Sequence, residues 1–371
     1  MFRSMVGLSP AMLTAGHLIC PAAWPQPFAV AGFVIDNHHL QTSPSDPNVN
    51  ISVGVSVGGG PVRYAQVDTG SVGVLVSRDL LGPDAQPLAE TGAREFNSSG
   101  RVYQGHYYRA SVELHGRDST AATVPLRVLV VDALACDPAR AHGCTPRSHV
   151  SRFVFLGAGF DRPPFLNPPL VVRDALGPSD NPFLQLAAMA QGRMPRRYIL
   201  ARDRLVLGAT DADAAGFKLT GLPGQSGLAG SMLPHDWKWA RAGYTLRGPE
   251  PGERFTPPVG TVPLLVDTGL TYTILTVPPA RRPPGFAEPG VTTLRAGIDV
   301  DVTVPARSES EPPVLSYGFR TGAQPAPAYA PTRVAWGENG DTYQLNTGSN
   351  LLNAYDYLYD SDRGLIGFRP R

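Results

Sequence analysis

The tripeptide Asp-Thr-Gly occurs once in each half of this 371-residue chain, each time at the end of an apolar run. The first copy, Asp68-Thr69-Gly70, follows residues 64–67, and the second, Asp267-Thr268-Gly269, follows residues 262–266. A single copy is most often an ordinary turn, because Asp, Thr and Gly all favour turns. Two copies in matching contexts predict a duplicated scaffold that sets two carboxylate-bearing loops face to face.

The composition favours many short strands over long amphipathic helices. Hydrophobic residues make up 42% of the chain and charged residues only 17%, while there are 40 Gly and 38 Pro residues. Gly and Pro at this frequency are typical of strands joined by tight turns. The chain is long enough for two domains with sizeable cores. Its formal net charge of +1 creates no field that would attract nucleic acid or an anionic membrane.

The clearest strand pattern begins at residue 51. Apolar residues alternate with Ser and Gly over residues 51–58, which is the period of a strand with one buried face. Gly58-Gly59-Gly60 predicts a turn, and residues 62–67 return as a second strand that leads into Asp68. One helix is predicted at residues 181–191, where apolar residues recur at helical spacing after a proline. Further strands are predicted at residues 107–114, 124–131, 152–156 and 204–207.

A glycine follows each Asp-Thr-Gly at a similar distance, Gly157 in the first half and Gly348 in the second. This coarse repeat predicts an all-β protein with two lobes and a cleft between them. The expected boundaries are residues 49–210 for the N-terminal lobe and residues 211–371 for the C-terminal lobe. Residues 24–48 show no regular period and are expected to be a leader or linker.

The first 23 residues have the features of a weak signal peptide. Arg3 is followed by an apolar stretch that Pro10 and His17 interrupt, and residues 21–23 supply small residues for cleavage. A disordered N-terminal extension is the alternative. The stretch is too short and too broken for a membrane span, and no later segment qualifies. The sequence therefore predicts a secreted or periplasmic protein, with a cytoplasmic location as the alternative.

The cysteines and the basic residues bear on compartment and origin. Cys136 and Cys144 bracket a polar turn, where a small-loop disulfide is expected, with two unpaired thiols as the alternative. Removal of residues 1–23 would take away Cys20 and leave an even pair, as in an exported protein. All of the 32 basic residues except Lys218 and Lys238 are Arg, which indicates a GC-rich, bacterial genome.

These motifs together resemble those of the pepsin-like aspartic peptidases of the bilobal, monomeric type, over residues 49–371. In that family an apolar strand delivers Asp-Thr-Gly-Ser/Thr to a loop in each lobe. Asp68-Thr69-Gly70-Ser71 matches this pattern in full, and Asp267-Thr268-Gly269 matches its first three residues. Phe155-Leu156-Gly157 resembles the strand that crosses behind the first catalytic loop. Residues 204–211 resemble the strand that closes the first lobe, and residues 348–368 resemble the family's C-terminal end.

The resemblance implies an aspartic endopeptidase with Asp68 and Asp267 as the catalytic pair. Like-charge repulsion would make two adjacent carboxyl groups share one proton. The ionised member would take a proton from a bound water, and the protonated member would donate to the scissile carbonyl oxygen. The expected substrate is a polypeptide in extended conformation, cut by a monomeric enzyme with no cofactor and no metal.

The resemblance also implies roles for the loop residues around the pair. The glycines would bring a backbone N–H close to each carboxylate, and the threonine hydroxyls would bridge the two loops. The serine would donate to the outer oxygen of the first carboxylate and favour its charged form. The supporting residues expected on these grounds are Thr69, Gly70, Ser71, Thr268 and Gly269.

Three positions depart from the family pattern. Leu270 stands where the family has Ser or Thr, so one hydrogen bond to Asp267 is expected to be missing unless Thr271 supplies it. With less support for its charge, Asp267 is expected to carry the shared proton. The second lobe has Asn346-Thr347-Gly348 in place of two hydrophobic residues and Gly. In the short flap region, Tyr103 is the candidate for the tyrosine at the flap tip; an ordinary strand aromatic is the alternative, and Tyr107 and Tyr108 are rivals.

These departures leave a second interpretation of the function open. Leu270 and the short flap favour a catalytically weak or inactive pepsin-like scaffold that binds peptides or a protein partner. The intact acids in both motifs favour the peptidase.

Overall fold

The computed structural model describes residues 30–43, 46, 48, 50–96, 98–138, 144–162, 176–224, 236–288, 290–306, 310–337 and 341–371. The predicted signal segment, residues 1–23, lies outside them.

The described residues form mostly short strands with very little helix. The strands of the first part are β1 (Phe33–Asp36), β2 (Ser52–Val57), β3 (Arg63–Asp68), β4 (Val72–Ser77), β5 (Gln86–Phe96), β6 (Arg101–Ala110), β7 (Val112–His115), β8 (Thr120–Ala122), β9 (Leu126–Cys136), β10 (Val154–Ala158), β11 (Arg197–Leu200) and β12 (Arg204–Leu207). Those of the second part are β13 (Lys218–Gly221), β14 (Arg241–Arg247), β15 (Arg254–Phe255), β16 (Val262–Leu265), β17 (Thr273–Thr276), β18 (Asp299–Val304), β19 (Leu315–Arg320), β20 (Val334–Trp336), β21 (Gln344–Asn346), β22 (Tyr355–Asp360) and β23 (Leu365–Pro370). The α-helices are α1 (His38–Thr42) and α2 (Ala187–Ala190), and 3₁₀ turns lie at Arg78–Leu80, Pro178–Asp180, Pro279–Arg281 and Asn350–Asn353.

The strands form three sheets. A nine-stranded sheet has the order β5-β6-β9-β4-β10-β3-β2-β7-β8, and an eight-stranded sheet has the order β19-β18-β14-β16-β21-β17-β20, with β15 on β14. The first uses only strands that precede residue 210, and the second uses only strands that follow it. The predicted all-β, two-lobed architecture is thereby confirmed.

The third sheet joins the two parts of the chain. Its order is β1-β12-β11-β22-β23-β13, so strands from the start, middle and end of the chain lie side by side. β1 pairs with β12, and β11 pairs with β22. Part of the expected linker, residues 24–48, is therefore a strand and a short helix. The sequence missed this because a four-residue strand is too short to show a period.

The core consists of aliphatic side chains together with buried Phe and Tyr residues. Val53, Val55 and Val57 of β2 are 1% exposed or less, as the alternation predicts. Gly54 and Ser56, which alternate with them, are also buried. Side chains of the neighbouring strands cover this second face: Ser56 Oγ donates to Glu113 at 2.8 Å, and a Cβ at Gly54 would lie 3.2 Å from the side chain of His115. The α-helices of the described part of the chain, α1 and α2, have five and four residues, and neither could span a bilayer.

The predicted helix at residues 181–191 is shorter in the structure, which has only α2. Asn181 explains the difference. Its carboxamide oxygen accepts from the backbone N–H of Phe183 at 2.9 Å, and its Nδ2 donates to the carbonyls of Ala158 and Gly159 at 3.0 and 2.9 Å. Asn side chains that bond to nearby backbone in this way compete with helix formation. The segment before α2 is therefore bonded to the end of β10 and does not form a helix.

Candidate active site

Asp68 ends β3, and the chain turns through residues 69–71 into β4. β10 lies between these two strands, with Gly157 opposite Asp68 on β3 and opposite Gly73 on β4. A side chain cannot be placed at 157, because its Cβ would lie 2.6 Å from the backbone nitrogen of Val72. The strand that contains Phe155-Leu156-Gly157 therefore passes directly behind the first loop and supports it.

The second loop has the same surroundings. β16 leads into Asp267, β17 leaves the loop, and β21 lies between them, parallel to β16 and antiparallel to β17. Asn346 of β21 lies opposite Leu265, two residues before Asp267. In the first lobe Phe155 lies opposite Gln66, two residues before Asp68. Asn346 and Phe155 thus occupy matching positions of a structural repeat.

Thr69 and Thr268 join the two loops. The backbone N–H of each donates to the hydroxyl of the other, at 3.1 Å to Thr268 and 3.0 Å to Thr69. The Thr268 hydroxyl also donates to the carbonyl of Val67 at 2.7 Å, and the Thr69 hydroxyl donates to the carbonyl of Val266. Both threonines are buried. This network fixes the separation of the two loops.

We expect Thr268→Val to lower the free energy of unfolding by about 2–4 kcal/mol. Valine has nearly the same shape but leaves the N–H of Thr69 and the carbonyl of Val67 buried without that partner. Denaturant unfolding measures the change. Thr303→Val on the exposed side of β18 is the matched control and should change stability by less than about 0.5 kcal/mol. Equal effects of the two variants would contradict the network's role.

The two carboxyl groups lie against each other's loops. The N–H of Gly70 donates to Asp68 Oδ1 at 2.6 Å, and the N–H of Gly269 donates to Asp267 Oδ1 at 2.8 Å. A Cβ added to Gly70 would lie 2.6 Å from Asp267 Cγ, and one added to Gly269 would lie 2.6 Å from Asp68 Oδ1. Both acids are 6% exposed. The structure therefore brings Asp68 and Asp267 together in one buried site.

Each outer carboxylate oxygen has a side-chain donor. Ser71 Oγ donates to Asp68 Oδ2 at 2.7 Å. Leu270 has no hydroxyl to offer, but Asn346 Nδ2 donates to Asp267 Oδ2 at 2.7 Å. The expectation of a missing hydrogen bond at Asp267 is therefore wrong, because the carboxamide of β21 reaches the oxygen that Leu270 cannot.

The pKa of Asp68 is strongly perturbed. Burial raises it to about 8, and the charge of Asp267 and a hydrogen bond with that carboxyl act in the same direction. The hydrogen bonds from Ser71 and Gly70 oppose the rise. A proton is consequently retained in the pair at pH values where an ordinary aspartic acid is ionised.

This raised pKa links folding to pH. Between the ordinary pKa of 3.8 and the folded value of about 8, the folded protein binds more protons at Asp68 than the unfolded chain does. Stability contributed by this group is therefore lost as pH rises through that window. The asparagine of Asp68→Asn cannot ionise, so the free energy of unfolding of this variant should not fall in the same way. We expect the difference in free energy of unfolding, variant minus wild type, to be at least about 1 kcal/mol larger at pH 7 than at pH 4. Denaturant unfolding at both pH values tests this; an unchanged difference would contradict it.

Arg162 interacts electrostatically with both acids, and Arg94 bonds to the residue that follows the first loop. Arg94 is buried and its Nη2 donates to the carbonyl of Val72 at 2.8 Å. The guanidinium of Arg162 lies over the ring of Trp239, 5.3 Å from its centroid. Burial lowers the pKa of Arg162, while the charges of Asp267 and Asp68 oppose that change. A cation at this position favours an ionised carboxylate in the pair.

Tyr103, the flap candidate, is not brought to the turn of its hairpin. It lies within β6, opposite Arg94 of β5, and is 8% exposed. Its ring stacks on Phe153 with centroids 4.6 Å apart and meets Phe96 edge-on at 5.7 Å. These are the contacts of a strand aromatic that packs in a hydrophobic cluster, which was the alternative interpretation of this residue.

The cysteine pair lies at the end of β9, where Cys136 pairs with Arg101 at the start of β6. Cys136, the last residue of β9, forms a disulfide with Cys144, so the predicted bridge is confirmed. Among the described residues, no three His, Cys, Asp or Glu side chains are grouped so that they could hold a metal ion.

Comparison with known proteins identifies the fold. No family model matches the chain, and neither does any curated protein sequence. Among solved structures, the aspartic proteinase from Irpex lacteus aligns with a TM-score of 0.53 over 92% of this chain and 97% of that chain, at 14% sequence identity. At this sequence identity the structural match is evidence for the fold alone. The chain thus has the two-lobed, nearly all-β scaffold of the pepsin-like aspartic proteinases.

Proposed function

We propose that the protein is an aspartic endopeptidase in which Asp68 and Asp267 activate one water molecule. The observation that carries this proposal is the buried contact of the two carboxyl groups, each of which lies against the glycine of the other loop. Both carboxyls are oriented by one backbone N–H and one side-chain donor. Such fixed donors leave the remaining lone pairs of the carboxyls directed at a shared water.

The proposed chemistry needs one proton in the pair. The ionised carboxylate removes a proton from the water as it attacks the scissile carbonyl carbon, and the protonated carboxyl donates to the carbonyl oxygen. The raised pKa of Asp68 supplies the protonated member. Peptide hydrolysis then proceeds through a tetrahedral intermediate without a covalent bond to the enzyme.

The proposed substrate is a polypeptide bound in extended form between the lobes, and the proposed enzyme is a monomer. Export to an oxidising compartment is supported by the disulfide between Cys136 and Cys144, since such bridges persist outside the cytosol.

The alternative is a scaffold that binds peptides without cutting them. Leu270 and the short flap were the sequence features in its favour. The hydrogen bond from Asn346 to Asp267 removes the first of them, because the second carboxylate is supported by a side-chain donor. The peptidase is therefore the better-supported function.

The test is cleavage of a diverse peptide library from about pH 3 to pH 8, read by mass spectrometry. We expect internal peptide bonds to be cut and a statine-type peptide, whose hydroxyl mimics the tetrahedral intermediate, to inhibit. Binding of peptides without any cut product would contradict the peptidase and favour the scaffold.

A further inference from the structure

The second lobe departs from the family pattern at Leu270 and at Asn346, and both changes concern the hydrogen-bond donor to Asp267. Leu270 removes the hydroxyl that would face Asp267, and Asn346 replaces a hydrophobic residue on the strand behind the same carboxylate. The first lobe keeps the opposite pair, with Ser71 on the loop and Phe155 on the strand. The donor to the outer oxygen has therefore moved from the loop to β21, and the 2.7 Å contact is preserved.

The orientation of the Asn346 amide is fixed by its second hydrogen bond. Its Oδ1 accepts from the backbone N–H of Gly348 at 3.0 Å, so its Nδ2 is the atom that faces Asp267 Oδ2. The reversed amide would set NH₂ against the N–H of Gly348, donor against donor. The side chain is 7% exposed, which keeps water from competing for either contact.

The donor chemistry differs between the two carboxyls. An amide NH₂ and a backbone N–H only donate, so both oxygens of Asp267 are held as acceptors. A hydroxyl can donate or accept, so Ser71 keeps its hydrogen bond when Asp68 Oδ2 is protonated. The donors around Asp267 therefore favour its charged form alone, whereas the hydroxyl beside Asp68 remains bonded in either protonation state.

We infer that Asn346 is a positioning residue that keeps Asp267 ionised and thereby assigns the shared proton to Asp68. This inference rests on the proposed function and names the direction of its proton transfers: Asp267 is the base toward water, and Asp68 is the donor toward the carbonyl oxygen. It reverses the expectation from sequence, in which Leu270 left Asp267 as the proton carrier.

The direct test is the order in which the two carboxyls ionise. Carboxyl-carbon NMR of protein labelled with carbon-13 aspartate follows both groups, and Asp68→Asn and Asp267→Asn identify their signals. We expect Asp267 to ionise first in the wild type, and its midpoint to rise by about one pH unit in Asn346→Leu. Ionisation of Asp68 before Asp267, or a midpoint for Asp267 that Asn346→Leu leaves unchanged, would overturn the inference.

Kinetics provide a second readout. We expect Asn346→Leu to lower kcat by about tenfold to a hundredfold with little change in KM, and to move the acid limb of kcat/KM upward by about one pH unit. Adding Leu270→Thr to Asn346→Leu restores a hydroxyl donor on the loop. This double variant should recover most of kcat, and the acid limb of its kcat/KM should return to the wild-type pH. The control Asn353→Leu changes an asparagine whose Nδ2 bonds to the carbonyl of Ala328, and it should leave both unchanged.

The two proposals fail in different ways. A wild-type protein that cuts no peptide contradicts the proposed function, while the NMR titration still decides the order of ionisation. An active wild type whose acid limb is the same in Asn346→Leu contradicts only the role of Asn346, since loss of activity alone would also follow from a misplaced strand.

Discussion

Asp68→Asn and Asp267→Asn should each reduce kcat/KM for peptide cleavage by at least about a thousandfold. Each variant keeps the shape of the side chain but removes the carboxyl group that transfers a proton. In the proposed mechanism Asp267→Asn removes the base toward water, and Asp68→Asn removes the donor toward the carbonyl oxygen. Because the two groups act on one water, the double variant should be hardly worse than either single one.

Steady-state kinetics on a cleaved library peptide measures these losses. Asp301→Asn is the matched control, because Asp301 is a half-exposed acid that pairs with Arg247 on the surface of β18. Its kcat/KM should stay within about twofold of the wild type, as surface substitutions usually have small effects. Cleavage that persists in both Asp68→Asn and Asp267→Asn would show that another group performs the hydrolysis.

Gly70→Ala should lower kcat/KM by about a hundredfold or more, although it adds a single methyl group. The new Cβ would lie 2.6 Å from Asp267 Cγ and from both of its carboxylate oxygens, so the carboxylate has to move. Gly269 and Asn346 hold that carboxylate from the other side. Gly70 does not have a positive φ, so the effect comes from the contact and not from backbone strain.

The control for this variant is Gly177→Ala, whose Cβ meets no atom of the described residues within 4 Å. Gly70→Ala should also cost about 1–3 kcal/mol of stability, the usual range for overpacking a buried site. Thermal unfolding and kinetics on both variants separate the two effects. Activity of Gly70→Ala within about threefold of the wild type would mean that the two loops are not in contact as described.

The proposed catalytic pair could be predicted from the sequence because each copy of the repeated motif is a short, continuous stretch. Each acid lies in a tripeptide that follows an apolar run, so the same short pattern can be recognised twice in one sequence. The two-lobed, all-β fold followed from the same repeat together with the frequency of Gly and Pro. The disulfide followed from two cysteines at the ends of one short polar turn.

The supporting residues were harder to predict, because they come from distant strands. Asn346 contacts an acid 79 positions earlier, and only the pairing of β21 with β16 brings them together. The sequence did contain an indication of this contact. Leu270 and Asn346 both depart from the family pattern in the same lobe, and together they indicate that the donor to Asp267 has moved from the loop to the strand. Asn181 gave no such signal, because its bonds to Ala158 and Gly159 exist only once β10 is in place.

Tyr103 and the sheet that joins the lobes show a second limit. A tyrosine close to a glycine occurs both at flap tips and within ordinary strands, so the sequence does not distinguish the two. The contacts of Tyr103 with Phe96 and Phe153 do, and they are visible only in the structure. β1 pairs with β12, which lies about 170 residues later in the chain. The four residues of β1 contain no sequence pattern that would predict this pairing. Local patterns thus predicted the loops, while contacts between distant strands had to be observed.

A crystal structure with a statine-type peptide tests the central claim most directly. The hydroxyl of that peptide should lie between the two acids, within hydrogen-bond distance of a carboxylate oxygen of Asp68 and one of Asp267, with the peptide extended through the cleft. A peptide bound elsewhere, or a hydroxyl in contact with neither acid, would contradict the assignment of these two residues as one catalytic pair.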